Sequence, residues 1–350
     1  MKKYPLISIV ISNYNGARLD TLKACLVSFK KIDYPNYELI LVDNASTDNS
    51  LVVAKKVLGK DPKFKIIQNR VNMYSQGLNL GLKESRGEYV AYFNNDLEVA
   101  KKYFQKLVES FNRYPKLALA QGKLLWYFDH KIIDSAGESM DPYGNPVTIG
   151  YQTKDRGQFD NDEEILSASG SACMLKKSAL KNVGIYDDSY GIGYEDMDLG
   201  LRLRHRGFLV MRVPEAIVYH KRGTTDLSPM VRVKVKWHFN KNRLATMIKN
   251  YPLSDLLQTI PITLVIYIFN MLWEMGVQKR FRVGLMRPWA VIWIFMQLPR
   301  LLQERQAIRN MATDKTDQTI IKLLAPSSIF IKVKNVITDY FTPIKNPKSK

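Results

Sequence analysis

Five short stretches of this chain concentrate side chains able to move protons or hold phosphates. Asp43 stands in VDNASTDNS, Asp96 in FNND, and Glu195, Asp196 and Asp198 in GYEDMDLG. His220 and Arg222 stand in VYHKRG, and Lys241 and Arg243 in WHFNKNRL. A carboxylate at a strand end accepts a hydrogen bond from the ring N–H of a nucleobase, or caps the next helix. A carboxylate flanked by amides, as in FNND, suits a hard cation such as Mg2+, which completes its shell with water and phosphate; it also suits an ordinary turn. Acidic residues at a helix start are stabilised by the helix dipole, and one of them can act as general base toward an attacking hydroxyl. His220 is a third metal or phosphate contact, or a structural imidazole. Lys241 and Arg243 suit a departing diphosphate, or belong to a solvated basic face.

Apolar runs precede three of these loops. Residues 6–12 form a strand ending at NYNG, residues 38–42 one that stops at DNASTD, and residues 89–93 one that ends at NND. Residues 64–68 add a further strand. Between them lie helical patterns: 18–31 with Leu19, Leu22, Leu26 and Phe29 at helical spacing, a second helix capped by Ser46 or Asp48, and 76–85. Strands alternating with helices predict a mostly parallel α/β sheet with helices on both faces. Ligands bind beyond the carboxyl ends of such strands, so loops 13–16, 43–48 and 94–96 are expected to converge on one site. Further strands are predicted near 117–125, at 171–175, 208–213 and 216–219. A helix is predicted from Lys177, and another over 195–206 stopped by Gly207.

The 350 residues are 46% hydrophobic and 24% charged, near the soluble globular average, which excludes disorder, collagen-like repeats and a polytopic membrane protein. The net charge is +19, of which residues 1–199 carry +1 and residues 200–350 carry +18. That asymmetry points to an anionic partner: nucleic acid, lipid or phosphate-bearing substrates. A basic nucleic-acid-binding protein is the remote alternative; the long apolar segments within the basic region and the lack of a helix-turn-helix, RNP or zinc signature disfavour it, and no nucleic-acid partner is expected. Cys25 and Cys173 exclude a disulfide framework and suit a reducing compartment. The opening MKKYPLISIVISNYNG has a short apolar run and no small-residue cleavage site. It reads as a buried first strand, so the N-terminal part is expected to stay in the cytoplasm.

From residue 230 the character changes, dividing the chain into domains 1–250 and 251–350. Residues 230–250 read as a basic helix. Residues 256–277 are long and apolar enough to cross a bilayer, and 289–302 are not. A single crossing would place basic segments on both sides, against the positive-inside rule. Interfacial or re-entrant helices on an anionic membrane surface are therefore expected, with Trp273, Trp289 and Trp293 at headgroup depth; buried core helices are the alternative.

The order SIVISNYNG, VDNASTDNS, NMYSQGLNLGL, FNND, SGSACMLKKSAL, YEDMDLGLRLRHRGF and YHKRG resembles glycosyltransferase family 2, and more closely its rhamnosyltransferase-like branch. The resemblance covers about residues 5–245. It implies a GT-A type Rossmann-like domain that takes a nucleotide-diphosphosugar, UDP- or dTDP-linked, and a lipid-linked or surface glycan acceptor. It implies a divalent cation, Mg2+ or Mn2+, on Asp96, with support from His220. Asp43 would hold a pyrimidine base, with Ser12 and Tyr14 lining its pocket. Asn72 and Asn79 would lie near the ribose and phosphates, Asn94 and Asn95 would contact the donor, and Lys241 and Arg243 would face the diphosphate. Asp196, with Glu195 beside it, would be the base of an inverting displacement. Two residues depart from the family pattern: Asn94 replaces the first aspartate of the metal motif, and Tyr74 stands where glycine is usual, reshaping the pocket near the ribose or sugar. A fold that has lost catalysis and serves as a scaffold is the competing reading, and Asp43, Asp96, Glu195 and Asp196 argue against it. A nucleotidylyltransferase is disfavoured because SNYNG is not its GxGxR loop.

Overall fold

The computed structural model describes residues 4–18, 20–222 and 229–326. Leu19 of the first predicted helix and the basic tail after 326 lie outside the described residues. The first half alternates as predicted: β1 (Ile7–Asn13), α1 (Thr21–Phe29), β2 (Tyr37–Asn44), α2 (Ser50–Leu58), β3 (Phe64–Asn69), α3 (Tyr74–Glu84) and β4 (Tyr89–Asn94). β1 pairs in parallel with β2 and with β4, and β2 with β3. Every residue of β1 is buried, as an inner strand covered on both faces requires. Ile7, Ile9 and Ile11 pack toward α1, against Leu22, Leu26 and Phe29, while Val10 packs toward α3, against Leu78 and Leu82. The glycines of GLNLGL permit that approach: a Cβ on Gly81 would lie 2.2 Å from Val10 Cγ1, and one on Gly77 2.3 Å from Asn44 Oδ1.

The second helix begins otherwise than expected. Its N-cap is Asn49, which makes no side-chain cap bond. Asp48 accepts the Ser50 N–H at 2.9 Å, and Ser46 turns back toward Asp43.

After β4 come β5 (Leu97–Val99), α4 (Tyr103–Arg113), β6 (Leu117–Trp126), β7 (Ile133–Ser135), β8 (Glu138–Met140), β9 (Pro146–Thr148), β10 (Glu163–Glu164), β11 (Ala172–Lys176), α5 (Leu180–Val183), α6 (Glu195–His205) and β12 (Leu209–His220). The sheet runs β10-β12-β6-β11-β4-β1-β2-β3. β11 is antiparallel to both β4 and β6, so the sheet is mixed. That inversion starts β11 where β4 ends, bringing residues 169–171 to the site edge, where Asn94 N–H donates to the Ser171 carbonyl at 3.0 Å. The two strands predicted at 208–213 and 216–219 are one strand, β12, whose register against β6 shifts between Val213 and Ile217. Pro214 has no N–H to give a ladder, and a bulge accommodates it. The helix predicted from Lys177 is a 3-10 turn plus one α turn, ended by Gly184 at φ 78°.

The C-terminal part holds α7 (Pro229–Asn250), α8 (Leu253–Gly276), α9 (Phe281–Gly284), α10 (Met286–Arg309) and α11 (Asp314–Leu323). α7, α8, α10 and α11 share one apolar cluster with α6: Met197 and Leu201 pack with Leu244, Met247, Tyr267, Ile294, Leu301 and Ile320. Ion pairs continue the contact. Lys249 lies 3.1 Å from both Asp187 and Asp198, and Arg300 lies 3.2 Å from Asp187. A boundary at residue 250 therefore cuts through a shared core.

Candidate active site

The ends of β1, β2 and β4 bring their polar loops together. Asp43 is 1% exposed. It accepts Asn13 Nδ2 (2.7 Å), Ser46 Oγ (2.6 Å) and the Ser46 N–H (3.1 Å). A carboxylate offers about four lone-pair sites, so one remains for a ligand donor. Ser46 Oγ also accepts the Asn15 N–H at 2.9 Å. Ser12 Oγ accepts Asn44 Nδ2 (2.9 Å), and Tyr14 is exposed beside them. Asn95 Nδ2 donates to Asn13 Oδ1 at 2.6 Å, tying the third loop to the first. Gly16 ends NYNG because a Cβ there would lie 2.4 Å from Asn95 Nδ2.

Asp96 and His220 meet next to this cluster. His220 Nε2 lies 3.3 Å from Asp96 Oδ1, and its Nδ1 lies 2.7 Å from Asp134 Oδ2. Arg222 pairs with the other Asp134 oxygen. Burial disfavours a charged imidazole, but Asp134 and Asp96 outweigh it and hold His220 up at about 9. This donor set fits a divalent cation. A carboxylate on Nδ1 orients a metal-ligating histidine, and an ion that displaces the Nε2 proton would sit beside Asp96. Asp96 and His220 would supply two ligands, and among the described residues no cluster of three His, Cys, Asp or Glu forms. A donor diphosphate and water would complete such a shell.

Glu195 and Asp196 open α6. Asp196 Oδ2 accepts the Gly170 N–H at 2.9 Å, and its Oδ1 accepts the Met197 N–H at 2.8 Å. Burial raises Asp196, and these N–H groups oppose the rise. Glu195 is raised further, by burial and by the charge of Asp196, and its Oε2 has no hydrogen-bond partner among the described residues. A proton shared by the pair therefore favours Glu195, which leaves Asp196 the more readily ionised carboxylate and one of elevated basicity. Glu138, accepting from Thr148 (2.8 Å) and Ser135 (2.9 Å), is pushed up to about 8 by burial and by Asp196. Tyr74, at the start of α3, joins the two halves: its hydroxyl lies 2.7 Å from the Gly170 carbonyl and 2.9 Å from Asn94 Oδ1.

The loop before α6 is held from behind by α7. Gly191 and Gly193 take positive φ, as does Tyr194 at 70°. Lys241 Nζ donates to the Ser189 carbonyl, and His238 donates to that of Tyr190 at 2.7 Å. Asn242 Nδ2 reaches the carbonyls of Tyr190 (2.9 Å), Ile192 (3.1 Å) and Gly193 (2.6 Å).

The structure brings together Ser12, Tyr14, Asp43, Asn94, Asn95, Asp96, Glu195, Asp196 and His220. Four other predicted residues stand elsewhere. Asn72 is exposed, and its carbonyl accepts Lys234 Nζ at 3.4 Å. Asn79 donates to the Tyr186 carbonyl (2.8 Å) and to Asp188 (2.7 Å), lining a groove of about 790 Å³ between α3 and α5, away from the carboxylates. Lys241 is 1% exposed, with its ammonium 4.9 Å from the Trp237 ring and 4.5 Å from the Trp293 ring. Burial pulls it down to about 7. Arg243 donates to the Tyr143 carbonyl at 2.8 Å and sits over the Tyr267 ring. Both cations face inward because α8 and α10 cover that side of α7, so neither the diphosphate role nor the solvated face fits. Residues missed by sequence reasoning are Asn13, Ser46, Asp134, Glu138 and the bridging role of Tyr74. Asn13 and Ser46 were legible as polar neighbours of predicted strand ends. Asp134 and Glu138 sit in IIDSAGES, which carries no local signal of its own.

The model of glycosyl transferase family 2 matches residues 8–184, half of the chain. The chain is 27% identical over 218 residues to the N-acetylglucosaminyl-diphospho-decaprenol L-rhamnosyltransferase of Mycobacterium tuberculosis, covering 55% of this chain and 69% of the relative. It is 26% identical over 223 residues to the poly-beta-1,6-N-acetyl-D-glucosamine synthase of Staphylococcus epidermidis, covering 60% and 51%. The chain spans only a quarter to about half of the first relatives it matches. Its fold is similar to that of GalNAc-T7 with UDP, GalNAc and Mn2+, with a TM-score of 0.59 at 15% identity, covering 85% of this chain and 58% of that one. It is also similar to the mannosyltransferase PcManGT from Pyrobaculum calidifontis in complex with GDP-Man and Mn2+, with a TM-score of 0.51 at 15% identity, covering 91% and 84%. At such identities the likeness concerns the fold alone. Sheet and helices together form a GT-A fold, and the chain belongs to glycosyl transferase family 2.

Proposed function

We propose that the chain is an inverting glycosyltransferase. It moves a sugar, rhamnose among the candidates, from a UDP- or dTDP-linked donor to a hydroxyl of a lipid-linked or surface glycan acceptor. The observation that carries this reading is the convergence of Asp43, Asp96–His220 and Glu195–Asp196 at one edge of the sheet. Asp43, fixed by Asn13 and Ser46, presents its remaining lone pair to the base ring N–H. Asp96 and His220 would hold Mg2+ or Mn2+, which supplies Lewis-acid stabilisation of charge on the departing diphosphate. Asp196 takes the proton of the acceptor hydroxyl as its oxygen attacks the anomeric carbon. The bond from that carbon to the diphosphate oxygen breaks, its electron pair leaves with the nucleoside diphosphate, and configuration inverts. Glu195 stays neutral and adds no second negative charge beside the nucleophile. The names of the mycobacterial and staphylococcal relatives support an envelope or surface glycan as the acceptor.

The test is a thermal-shift panel of nucleotide-diphosphosugars with and without Mn2+ or Mg2+. A donor at a hundredfold excess over its Kd adds about 2.7 kcal/mol of stability. At roughly 2.1 cal/mol/K of unfolding entropy per residue, that raises Tm by about 4 °C. A metal-dependent rise with one donor supports the reading. No rise with any donor, from folded protein, favours the scaffold.

A further inference from the structure

α8 is inside out. Its buried residues are Thr259, Thr263, Tyr267 and Glu274, each with a polar group. Its outward stripe is Leu257 (68% exposed), Val265 (65%), Ile268, Phe269 and Leu272. A helix lying on a soluble core shows the reverse arrangement. α10 likewise exposes Trp289, Ile292, Phe295 (69%) and Met296 (72%), and Phe281 and Leu285 are exposed in the segment that links the two helices. So many exposed large apolar side chains on two linked helices mark an interaction site.

Charge is sorted as well. In α10, Arg287 pairs with Glu274, Arg300 with Asp187 and Glu304, and Arg309 with Asp317. Arg305 donates to the Ile248 and Tyr251 carbonyls. Lys279 and Arg280, in the turn after α8, and Arg282, in α9, are exposed and have no carboxylate partner among the described residues. Apolar stripe and free cations together match the interface of an anionic bilayer, where acyl chains take the one and headgroups the other.

We propose that α8 and α10 lie flat on an anionic membrane surface, the cytoplasmic leaflet in a cell, as a peripheral seat. The helix middle excludes a crossing. Thr263 Oγ1 contacts the Tyr143 carbonyl (3.4 Å) and Tyr267 OH donates to the Asn240 carbonyl (2.8 Å). Tyr143 lies in the turn between β8 and β9, so a spanning α8 would carry the catalytic domain to bilayer depth with it. Trp289 faces outward as the sequence predicts for headgroup depth, whereas Trp293 packs on Lys241.

The experiment uses the full chain with vesicles of phosphatidylcholine alone or with phosphatidylglycerol, and no nucleotide sugar. Its failure is therefore separate from failure of the transfer reading. Flotation with the anionic vesicles is expected at least tenfold above phosphatidylcholine alone. Arg280→Glu with Arg282→Glu removes that preference. Val265→Glu with Phe295→Glu removes binding to both vesicles with Tm unchanged. Fluorophores on Leu257→Cys, Val265→Cys and Leu272→Cys are quenched to the same depth by spin-labelled lipid if α8 lies flat. A deep middle probe between two shallow ones overturns the flat seat. Absence of flotation, or a dimer that Val265→Glu dissociates without any vesicle binding, overturns membrane docking.

Discussion

Replacing Tyr74 with phenylalanine removes one hydroxyl from a strategic place. That hydroxyl lies 2.7 Å from the Gly170 carbonyl and 2.9 Å from Asn94 Oδ1, and its single proton serves one of them at a time. The loss is one buried hydrogen bond and one acceptor left poorly satisfied, about 1–2 kcal/mol. Spread over the unfolding entropy of a chain this long, that is a Tm drop of about 2 °C. The larger effect is expected on the base. Gly170 holds Asp196 through its N–H at 2.9 Å. A hydrogen bond to a charged group contributes about 1.5–3 kcal/mol, and one pKa unit equals about 1.4 kcal/mol. Loosening Gly170 therefore raises Asp196 further, since that N–H favours the ionised form. The acid limb of kcat/KM against pH moves upward, while donor affinity stays within about twofold because Tyr74 touches neither Asp43 nor Ser46. The assay is initial-rate kinetics between pH 5 and 9 with the donor identified by thermal shift. A fall in kcat with an unmoved acid limb would refute the coupling. So would a tenfold loss of donor affinity, which would make Tyr74 a donor contact.

Asp196→Asn should lower turnover by about 10²–10⁴-fold, the usual contribution of a general base, with donor affinity by calorimetry within a few fold; unchanged turnover removes Asp196 from that role. Glu138, held up at about 8 against an ordinary 4.5, binds a proton in the folded state that the unfolded chain has released. Its contribution to stability therefore declines as pH rises from about 4.5 to 8, and the Tm of Glu138→Gln relative to wild type should climb between pH 5 and pH 8. A constant difference would show that Glu138 is ionised throughout. Gly81→Ala places a methyl 2.2 Å from Val10 Cγ1. Overpacking of this kind costs about 1–3 kcal/mol, so calorimetry should record a Tm lower by about 1–4 °C.

The strand ends that carry Asp43, Asn94 and Asp96 were legible in the linear chain because apolar runs and polar breaks are local. The first residues of α6 were legible for the same reason: an acidic cluster after glycines and before Gly207 marks a helix start and stop. The ordered motifs were specific enough to indicate the family. Within GLNLGL, however, the purpose of the glycines emerged only from the contact of α3 with Val10 and Asn44.

Direction and partnership were decided by the folded chain. His220 finds Asp134 across 86 residues, and Tyr74 finds Gly170 across 96. No periodicity encodes such pairs, since each depends on where the inverted β11 and the bulged β12 place their neighbours. Lys241 and Arg243 read as available cations because a helix pattern does not say which face another helix will cover. α8 reads as a span by composition, yet its rotation puts the threonines, tyrosine and glutamate against the protein and the leucines outside. Hydropathy sums over a helix and is blind to that rotation, which follows from hydrogen bonds to Tyr143 and Asn240 that only the assembled domain supplies.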